Sequence, residues 1–194
     1  MARLGIFGGT FDPIHTGHLI IAAAAADRLR LDQVLFVPAR VPPHKGPVGT
    51  SAEHRYRMVV LAIDGNPGFS ASNAELGRDG PSYTVETLRD FRRDSPSGTE
   101  LFLIMGTDSI LEIESWKDYD TLLEESEVVV LARQGSGTEG LPAAIRDRIT
   151  LLPTPLVEIS SSEIRAAVRD GRSIRYLVAE SVEEYIRSQG LYIS

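Results

Sequence analysis

The stretch GIFGGTFDPIHTGH, residues 5–18, decides the fold of this 194-residue chain. An apolar run at residues 4–7 reads as a β-strand that leads into two adjacent glycines. Glycine permits positive φ and lets a ligand approach the backbone, so we expect a turn with positive φ at this pair. Five consecutive alanines follow at residues 22–26, and because alanine favours helices most strongly, they predict a helix over residues 17–29.

A strand, a glycine turn and a helix N-terminus together form a site for an anion. The unpaired N–H groups of the first helical turn and the helix dipole both favour phosphate there. His15 and His18 lie at the mouth of this predicted site, which indicates phosphate chemistry as well as phosphate binding. The alternative is that both histidines are partly buried polar residues that cap the helix. The glycine spacing matches neither the dinucleotide-binding fingerprint nor the phosphate-binding loop that ends in Gly-Lys-Ser/Thr.

Composition restricts the class of protein. The formal net charge is −7, which disfavours a nucleic-acid partner, because binders of nucleic acid usually carry a basic face. The absence of cysteine excludes disulfides, thiolate zinc sites and cysteine nucleophiles. No apolar run approaches the roughly 18 residues of a membrane span, and no signal-peptide pattern is visible at the N-terminus. We therefore expect a cytoplasmic protein without a membrane partner.

Apolar runs alternate with helical patterns along the whole chain. Near-continuous apolar strands belong to sheets that are covered on both faces. We therefore expect one α/β domain over residues 1–194, a Rossmann-like, doubly wound, mainly parallel sheet flanked by helices. If the strand order reverses at the first strand, the ligand crevice lies between the first and fourth strands. The predicted strands are residues 4–7, 34–38, 69–72, 101–105, 127–133 and 149–152, and further helices are residues 52–65, 142–148 and 182–188, with three more that start near residues 82–84, 108 and 160.

Two loops at the expected carboxyl ends of strands carry candidate ligand contacts. Arg40, His44 and Lys45 lie in a loop rich in proline and glycine, which is either a solvated basic loop or a contact for phosphate. Gly106 follows the fourth strand and would let a base or ribose lie against the backbone. Asp108 either accepts hydrogen bonds from ligand hydroxyls or caps a helix.

A second group of candidates lies around a predicted helix start and the single tryptophan. Ser82 or Thr84 can cap the helix that follows residue 81. Tyr83 and Thr84 either pack near that cap or present hydroxyl and N–H groups to a ligand. Trp116 is either a core residue or a partly exposed ring that stacks on an aromatic ligand.

A run of serines at residues 160–162 opens a helix that carries Arg165 one turn further on. Residues three or four apart share a helix face, so hydroxyls, helix N–H groups and the arginine fork together suit a phosphate. A capping box between the first serine and Glu163 is compatible with the same pattern. By contrast, Arg55 and Arg57 are expected to be exposed partners in salt bridges.

Five motifs, in one order, carry a resemblance to a known family. They are GGTFDPIHTGH at residues 8–18, PPHK at residues 42–45, GPSYTVETL at residues 80–88, GTD at residues 106–108 with Trp116, and ISSSEIR at residues 159–165. Together they resemble the bacterial nicotinate mononucleotide adenylyltransferases, of the nucleotidyltransferase superfamily with the His-x-Gly-His motif. The first and last motifs are shared with phosphopantetheine adenylyltransferases, whereas the middle motifs are specific to the nicotinate branch. Ser162 stands where the family more often has threonine, and the hydroxyl is retained.

The resemblance implies an enzyme of NAD biosynthesis that joins ATP and nicotinate mononucleotide, giving nicotinate adenine dinucleotide and pyrophosphate. The mononucleotide phosphate would attack the α-phosphorus of ATP directly. Mg²⁺ would be carried by ATP, without a dedicated metal site in the protein. The ATP site would be built from residues 5–18, 106–108 and 160–165. The alternatives are a sister enzyme that acts on nicotinamide mononucleotide or phosphopantetheine, and a non-catalytic nucleotide-binding regulator.

The resemblance also assigns residues by motif. The catalytic residues would be His15, His18 and Arg165, which hold the phosphates of ATP. Further contacts to ATP would come from Gly8, Gly9, Thr10, Phe11, Gly106, Asp108, Ile159, Ser160, Ser161 and Ser162. The mononucleotide would be bound by Lys45, Tyr83, Thr84 and Trp116.

Overall fold

The computed structural model describes residues 1–43, 49–133, 140–154 and 157–193 of the chain. These residues form the α/β fold that the sequence predicts. The strands are β1 (Arg3–Gly9), β2 (Gln33–Pro38), β3 (Phe69–Ala71), β4 (Glu100–Gly106), β5 (Glu127–Arg133) and β6 (Ile149–Thr154). The helices are α1 (Thr16–Leu29), α2 (Ala52–Ile63), α3 (Thr84–Asp94), α4 (Thr107–Leu111), α5 (Tyr119–Glu125), α6 (Ala143–Arg146), α7 (Ser161–Arg169) and α8 (Glu180–Ser188).

The six strands form one sheet in the order β3-β2-β1-β4-β5-β6, and every neighbouring pair is parallel. The order reverses at β1, because the chain builds β2 and β3 on one side before it returns to place β4 on the other. In register, Phe7 of β1 lies opposite Phe36 of β2 and Ile104 of β4. The predicted adjacency of the first and fourth strands is confirmed, and their carboxyl ends meet where open α/β sheets bind ligands.

Helices cover both faces of the sheet. The core cluster on one face includes buried residues of α1, α2, α7 and α8, and the cluster on the other face includes buried residues of α3, α4, α5 and α6. Side chains alternate along a strand, so Phe7 packs in the first cluster and its neighbour Ile6 in the second. Burial on both faces is why the strands read as continuous apolar runs. In the described ranges no helix is long and apolar enough to span a membrane.

The glycines that follow the first apolar run do not form the predicted turn. Gly8 and Gly9 end β1, and the residue with positive φ is Phe11, at +50°. The prediction of positive φ at the glycine pair is therefore wrong. A Cβ at Gly9 would lie 2.8 Å from the Phe11 ring, so the close approach of that ring requires glycine. A Cβ at Gly8 would have no neighbouring heavy atom within 4 Å, which leaves open space beside the backbone.

The segment after β4 is more broken than the sequence predicts. The expected helix through residue 113 ends at Leu111, and a 3₁₀ turn at Ile113–Ser115 follows. Helix α5 was not predicted, because the charged sequence around Asp118 contains no clear start signal. Asp118 takes φ of +50° and leads directly into this helix. After the break, α5 leads to Glu127, the first residue of β5.

Candidate active site

The two histidines of the first motif lie together at the start of α1. His15 is the N-cap residue, and Nδ1 of His18 accepts a hydrogen bond from the backbone N–H of His15 at 3.2 Å. The ring centroids are 3.7 Å apart, with the planes tilted by 31°. Because α1 begins beyond the carboxyl end of β1, both rings stand where helix N–H groups and the dipole favour an anion. The capping arrangement therefore lies where the sequence predicts the anion site.

His15 is buried, with 8% of its surface exposed, and burial lowers the pKa of its imidazole to about 4. Its buried Nδ1 has no hydrogen-bond partner among the described residues. A Cβ at Gly17 would lie 3.0 Å from this Nδ1, so the glycine of the His-x-Gly-His motif makes room for the ring. Without a bound ligand, His15 is a neutral imidazole at neutral pH.

The buried neutral His15 predicts an acid-sensitive component of stability. An unfolded histidine protonates near pH 6.5 and folded His15 near pH 4, so the unfolded state binds more protons between these values. The free energy of unfolding should therefore fall as the pH falls from 6.5 to 4, with His15 contributing up to about 3 kcal/mol of the loss. Urea denaturation of the wild type and of His15→Asn across this range measures it. The variant should lack this component, and parallel pH curves would contradict the buried neutral state.

The N-terminus of α7 is hydrogen-bonded to the first-motif loop, residues 10–15, which joins β1 to α1. Ser161 Oγ donates a hydrogen bond to the carbonyl of Pro13 at 2.9 Å. Arg165 Nη1 donates to the carbonyl of Asp12 at 2.7 Å, and its Nη2 donates to Ser162 Oγ at 3.3 Å. Ser162 and Arg165 thus share one helix face, as their spacing predicts. The structure brings this guanidinium and these hydroxyls beside the start of α1.

The predicted cap of α7 is confirmed. Ser160 is the N-cap residue, and its Oγ accepts a hydrogen bond from the Glu163 N–H at 3.2 Å. The same hydroxyl donates to Glu163 Oε2 at 3.0 Å. Ile159, just before it, is half-buried and packs against the core. The segment therefore starts a helix and faces the site at the same time.

The prediction for Arg55 is wrong, because its side chain is buried, with 1% exposed. The guanidinium donates hydrogen bonds to three backbone carbonyls: Thr10 at 2.7 Å, Arg40 at 3.1 Å and Thr50 at 3.3 Å. Burial lowers the pKa of this guanidinium, and the charge of Asp12 opposes that effect. Arg55 therefore joins the first-motif loop to the loop after β2. Arg57, two residues later, is exposed as expected.

A cavity of about 290 Å³ opens at the carboxyl ends of β1, β2 and β4. Several predicted ligand contacts line it together, namely Gly8, Gly9, Thr10, Tyr83, Thr84 and Trp116. The Trp116 ring is partly exposed and also packs against the second core cluster. It therefore combines the two predicted alternatives, a core residue and a partly exposed ring. The cavity floor is apolar, with side chains such as Val37, Leu103 and Met105.

The helix start beside the cavity differs from the prediction. Tyr83, and neither Ser82 nor Thr84, is the N-cap residue of α3, and it makes no capping bond through its side chain. The Ser82 hydroxyl instead accepts hydrogen bonds from the backbone N–H groups of Arg40 at 2.9 Å and Val41 at 3.4 Å. These N–H groups need a partner because the loop after β2 leaves the sheet there. Ser82 therefore fastens that loop to the start of α3.

Two charged residues that line the cavity, Glu75 and Lys117, were not among the predicted site residues. Glu75 is 6% exposed and accepts a hydrogen bond from Thr87 Oγ1 at 2.6 Å; its burial raises the pKa of the carboxyl group. Lys117 Nζ lies 4.4 Å above the Tyr83 ring and 2.7 Å from Glu86 Oε1. Isolated charges in irregular segments follow no period, so only their tertiary placement reveals them. The one available signal was that Lys117 directly follows Trp116.

The end of β4 lies beside the end of β1. Gly106 is the N-cap residue of α4, and Asp108, which was a candidate for that cap, lies exposed in the first turn. A Cβ at Gly106 would have no neighbouring heavy atom within 4 Å, so the backbone there is open to a close ligand. The predicted contacts at His44 and Lys45 lie outside the described residues. In the described ranges no group of three or more histidine, aspartate or glutamate side chains could hold a metal ion.

Comparisons with known proteins agree with this geometry. The Cytidylyltransferase-like family model matches residues 6–167. The chain is 48% identical over 190 residues to the "Probable nicotinate-nucleotide adenylyltransferase" of Thermus thermophilus, covering 98% of this chain and 99% of that one. It is also 48% identical over 199 residues to the protein of the same name from Moorella thermoacetica, covering 98% and 91% of the two chains.

A solved structure has the same fold. The nicotinic acid mononucleotide adenylyltransferase of Plasmodium falciparum, complexed with NaAD, superposes with a TM-score of 0.77 at 20% identity, covering 99% of this chain and 98% of that one. At this identity the likeness concerns the fold, whereas the two bacterial relatives match in sequence along nearly the whole chain. The chain therefore belongs to the nicotinate-nucleotide adenylyltransferases, within the Cytidylyltransferase-like family.

Proposed function

We propose that this adenylyltransferase binds the triphosphate of ATP between the starts of α1 and α7 and binds nicotinate mononucleotide in the adjoining cavity. One observation carries the proposal. His15 and His18 stack at the start of α1, Arg165 bonds the Asp12 carbonyl in the loop that leads to them, and Tyr83 and Trp116 line the cavity at the carboxyl ends of the strands. One end thus offers cationic and N–H donors, and the other offers aromatic faces. The triphosphate of ATP needs the donors, and the pyridine ring of the mononucleotide needs the aromatic faces.

The reaction is a direct displacement at phosphorus. An oxygen of the mononucleotide 5′-phosphate forms a bond to the α-phosphorus of ATP, the bond from that phosphorus to the bridging oxygen breaks, and pyrophosphate leaves with the electron pair. The attacking phosphate is already ionised at neutral pH, so no side chain has to remove a proton. Catalysis then depends on alignment of the two substrates and on stabilisation of the charge that develops on the leaving group.

The chain divides the phosphate contacts between two helix starts. On one side, His15 and His18 donate to the phosphates, together with backbone N–H groups at Gly8, Gly9, Thr10 and Phe11. On the other side, Arg165, Ser161 and Ser162 enclose the β- and γ-phosphates, with Ile159 and Ser160 leading into that helix. Adenosine lies against Gly106, with Asp108 accepting from its hydroxyls. Mg²⁺ comes with the triphosphate and offsets its charge.

The mononucleotide occupies the cavity. Its pyridine ring stacks on Trp116 beside Tyr83. Thr84 directs its backbone N–H at the start of α3 towards the carboxylate, where the helix dipole favours negative charge. Lys45 meets its phosphate. Lys117, held above the Tyr83 ring, adds positive potential at the rim of this cavity.

Replacing Trp116 with alanine should raise KM for nicotinate mononucleotide about 10-fold or more and leave KM for ATP nearly unchanged, because base-on-aromatic stacking contributes about 1–3 kcal/mol. Steady-state kinetics with each substrate varied in turn provide the measurement. Leu111→Ala, at an exposed apolar residue of α4, serves as a control that should change neither constant. Equal increases in both constants would instead show that Trp116 supports the core.

The experiment that tests the proposed function measures pyrophosphate release from Mg²⁺-ATP. Nicotinate mononucleotide, nicotinamide mononucleotide and phosphopantetheine are offered separately. A strong preference for the acid mononucleotide is expected. A preference for the amide or for phosphopantetheine would assign the cavity to the sister reaction. ATP binding without pyrophosphate release from any of them would indicate a nucleotide-binding regulator.

A further inference from the structure

We propose that Tyr192 is a positioning residue for Arg165: its hydroxyl occupies one oxygen of the buried Asp12 carboxylate and so keeps that carboxylate from capturing the guanidinium that should face the phosphates. The inference rests on the proposed role of Arg165 in binding ATP. Tyr192 lies 180 positions from Asp12 in the chain and belongs to none of the five motifs.

The contacts around Asp12 define the arrangement. Tyr192 Oη donates a hydrogen bond to Asp12 Oδ1 at 2.7 Å, and Asp12 is 7% exposed. Arg165 Nη1 donates to the backbone carbonyl of Asp12 at 2.7 Å, while it stays 3.9 Å from Asp12 Oδ2. Arg165 therefore contacts the backbone of Asp12 closely and its charged side chain only at the limit of an ion pair.

A buried carboxylate beside an anion site is a competitor for the arginine. Carboxylate and guanidinium form strong paired hydrogen bonds when both oxygens are accessible, and a guanidinium held in that way has fewer donors for phosphate. The bond from Tyr192 takes up one lone pair of Oδ1 and holds the carboxylate in place, which disfavours the paired arrangement. Arg165 then donates two hydrogen bonds, one to the Asp12 carbonyl and one to Ser162. The rest of its five N–H groups can face the ligand.

The surroundings hold Tyr192 in its role as a donor. Burial and the bond to Asp12 raise the pKa of its hydroxyl, so it stays protonated at neutral pH, although the nearby Thr50 side chain partly opposes this effect. The backbone of Tyr192 takes φ of +66°, a conformation that side-chain-bearing residues seldom adopt. Packing of this residue against the first core cluster keeps it there. The positive charge of Arg55 acts on the same Asp12 carboxylate from the side of α2.

The test compares Tyr192→Phe with Tyr185→Phe. Tyr185 belongs to the same C-terminal segment, and its hydroxyl bonds His54 Nδ1 at 2.8 Å, away from the site. Both variants lose one hydroxyl bond between this segment and the rest of the protein, so similar losses in Tm are expected. The Kd for Mg²⁺-ATP, measured by calorimetry, should rise about 10-fold or more in Tyr192→Phe, as for a lost hydrogen bond to a charged group, and stay within two-fold in Tyr185→Phe.

A double-mutant cycle separates positioning from loss of structure. In the background of Arg165→Gln, the further change Tyr192→Phe should leave the Kd for Mg²⁺-ATP nearly unchanged, because its target is already absent. The same 10-fold loss in both backgrounds, or an unchanged Kd in Tyr192→Phe alone, would overturn the proposal. The measurement needs no turnover, so an enzyme inactive with all three offered substrates would refute the proposed function and still leave the role of Tyr192 decided.

Discussion

Replacement of His18 by alanine should lower kcat by about 10²-fold or more, in the range observed for loss of one donor that stabilises developing charge. Nδ1 of His18 accepts the backbone N–H of His15, which fixes the ring at the start of α1. In the neutral ring this bond places the proton on Nε2, and a protonated Nε2 is a hydrogen-bond donor. Such a donor contributes most when the charge on the leaving pyrophosphate is largest.

The measurement is kcat with both substrates saturating. His54→Ala provides the matched control, since His54 also bonds a neighbouring side chain and lies outside the crevice; its kcat should stay within a few-fold. His18→Ala also removes a cap from α1, which should lower the free energy of unfolding by about 1 kcal/mol, so both quantities are measured. A kcat for His18→Ala within a few-fold of the wild type would remove the catalytic role from this histidine.

Replacement of Arg55 by methionine should lower the free energy of unfolding by about 3 kcal/mol or more. Methionine retains much of the side-chain volume but leaves the carbonyls of Thr10, Arg40 and Thr50 without their donor, and each buried polar group that loses its partner costs about 1–3 kcal/mol. This loss exceeds the typical effect of a point mutation.

Urea denaturation measures the effect, with Arg57→Met as the control. Arg57 lies on the same helix and is exposed, so its replacement should change stability by less than about 0.5 kcal/mol. Arg55→Met should also weaken ATP binding, because the carbonyl of Thr10 belongs to the loop that we propose to bind the phosphates. Equal stabilities of the two variants would mean that the hydrogen bonds of Arg55 do not stabilise the loops that carry Thr10, Arg40 and Thr50.

The sequence predicted the fold because fold-level signals are local or periodic. Buried parallel strands such as β4 and β5 read as unbroken apolar runs, and the alanine run marked α1. Helix α5 was not predicted because its start depends on Asp118 in a left-handed conformation, which no residue type there signals. The positive φ at Phe11 was not predicted for a related reason. It accompanies the packing of the Phe11 ring against Gly9, whereas the sequence pattern predicted positive φ at a glycine.

The site was predictable where a motif keeps its parts close in sequence. The common face of Ser162 and Arg165 follows from a spacing of three residues on a helix, and the placement of both histidines at the start of α1 follows from their motif. Arg55 and Glu75 could not be found in this way. Each is a lone charged residue whose burial depends on loops that come from other parts of the chain.

The first-motif loop has a further consequence for how this enzyme is made. Apart from Arg55, which bonds Thr10, its partners come late in the chain. Ser161 bonds Pro13, Arg165 bonds Asp12, and the carbonyl of Leu177 receives the Thr16 N–H at 2.8 Å. A polypeptide emerging from the ribosome therefore lacks most of the contacts to this loop until its last third has been made. Contacts between such distant residues form slowly, since a long loop must close first. A ligand bound at this loop, as we propose for ATP, should therefore stabilise the finished chain and not a nascent chain that still lacks α7.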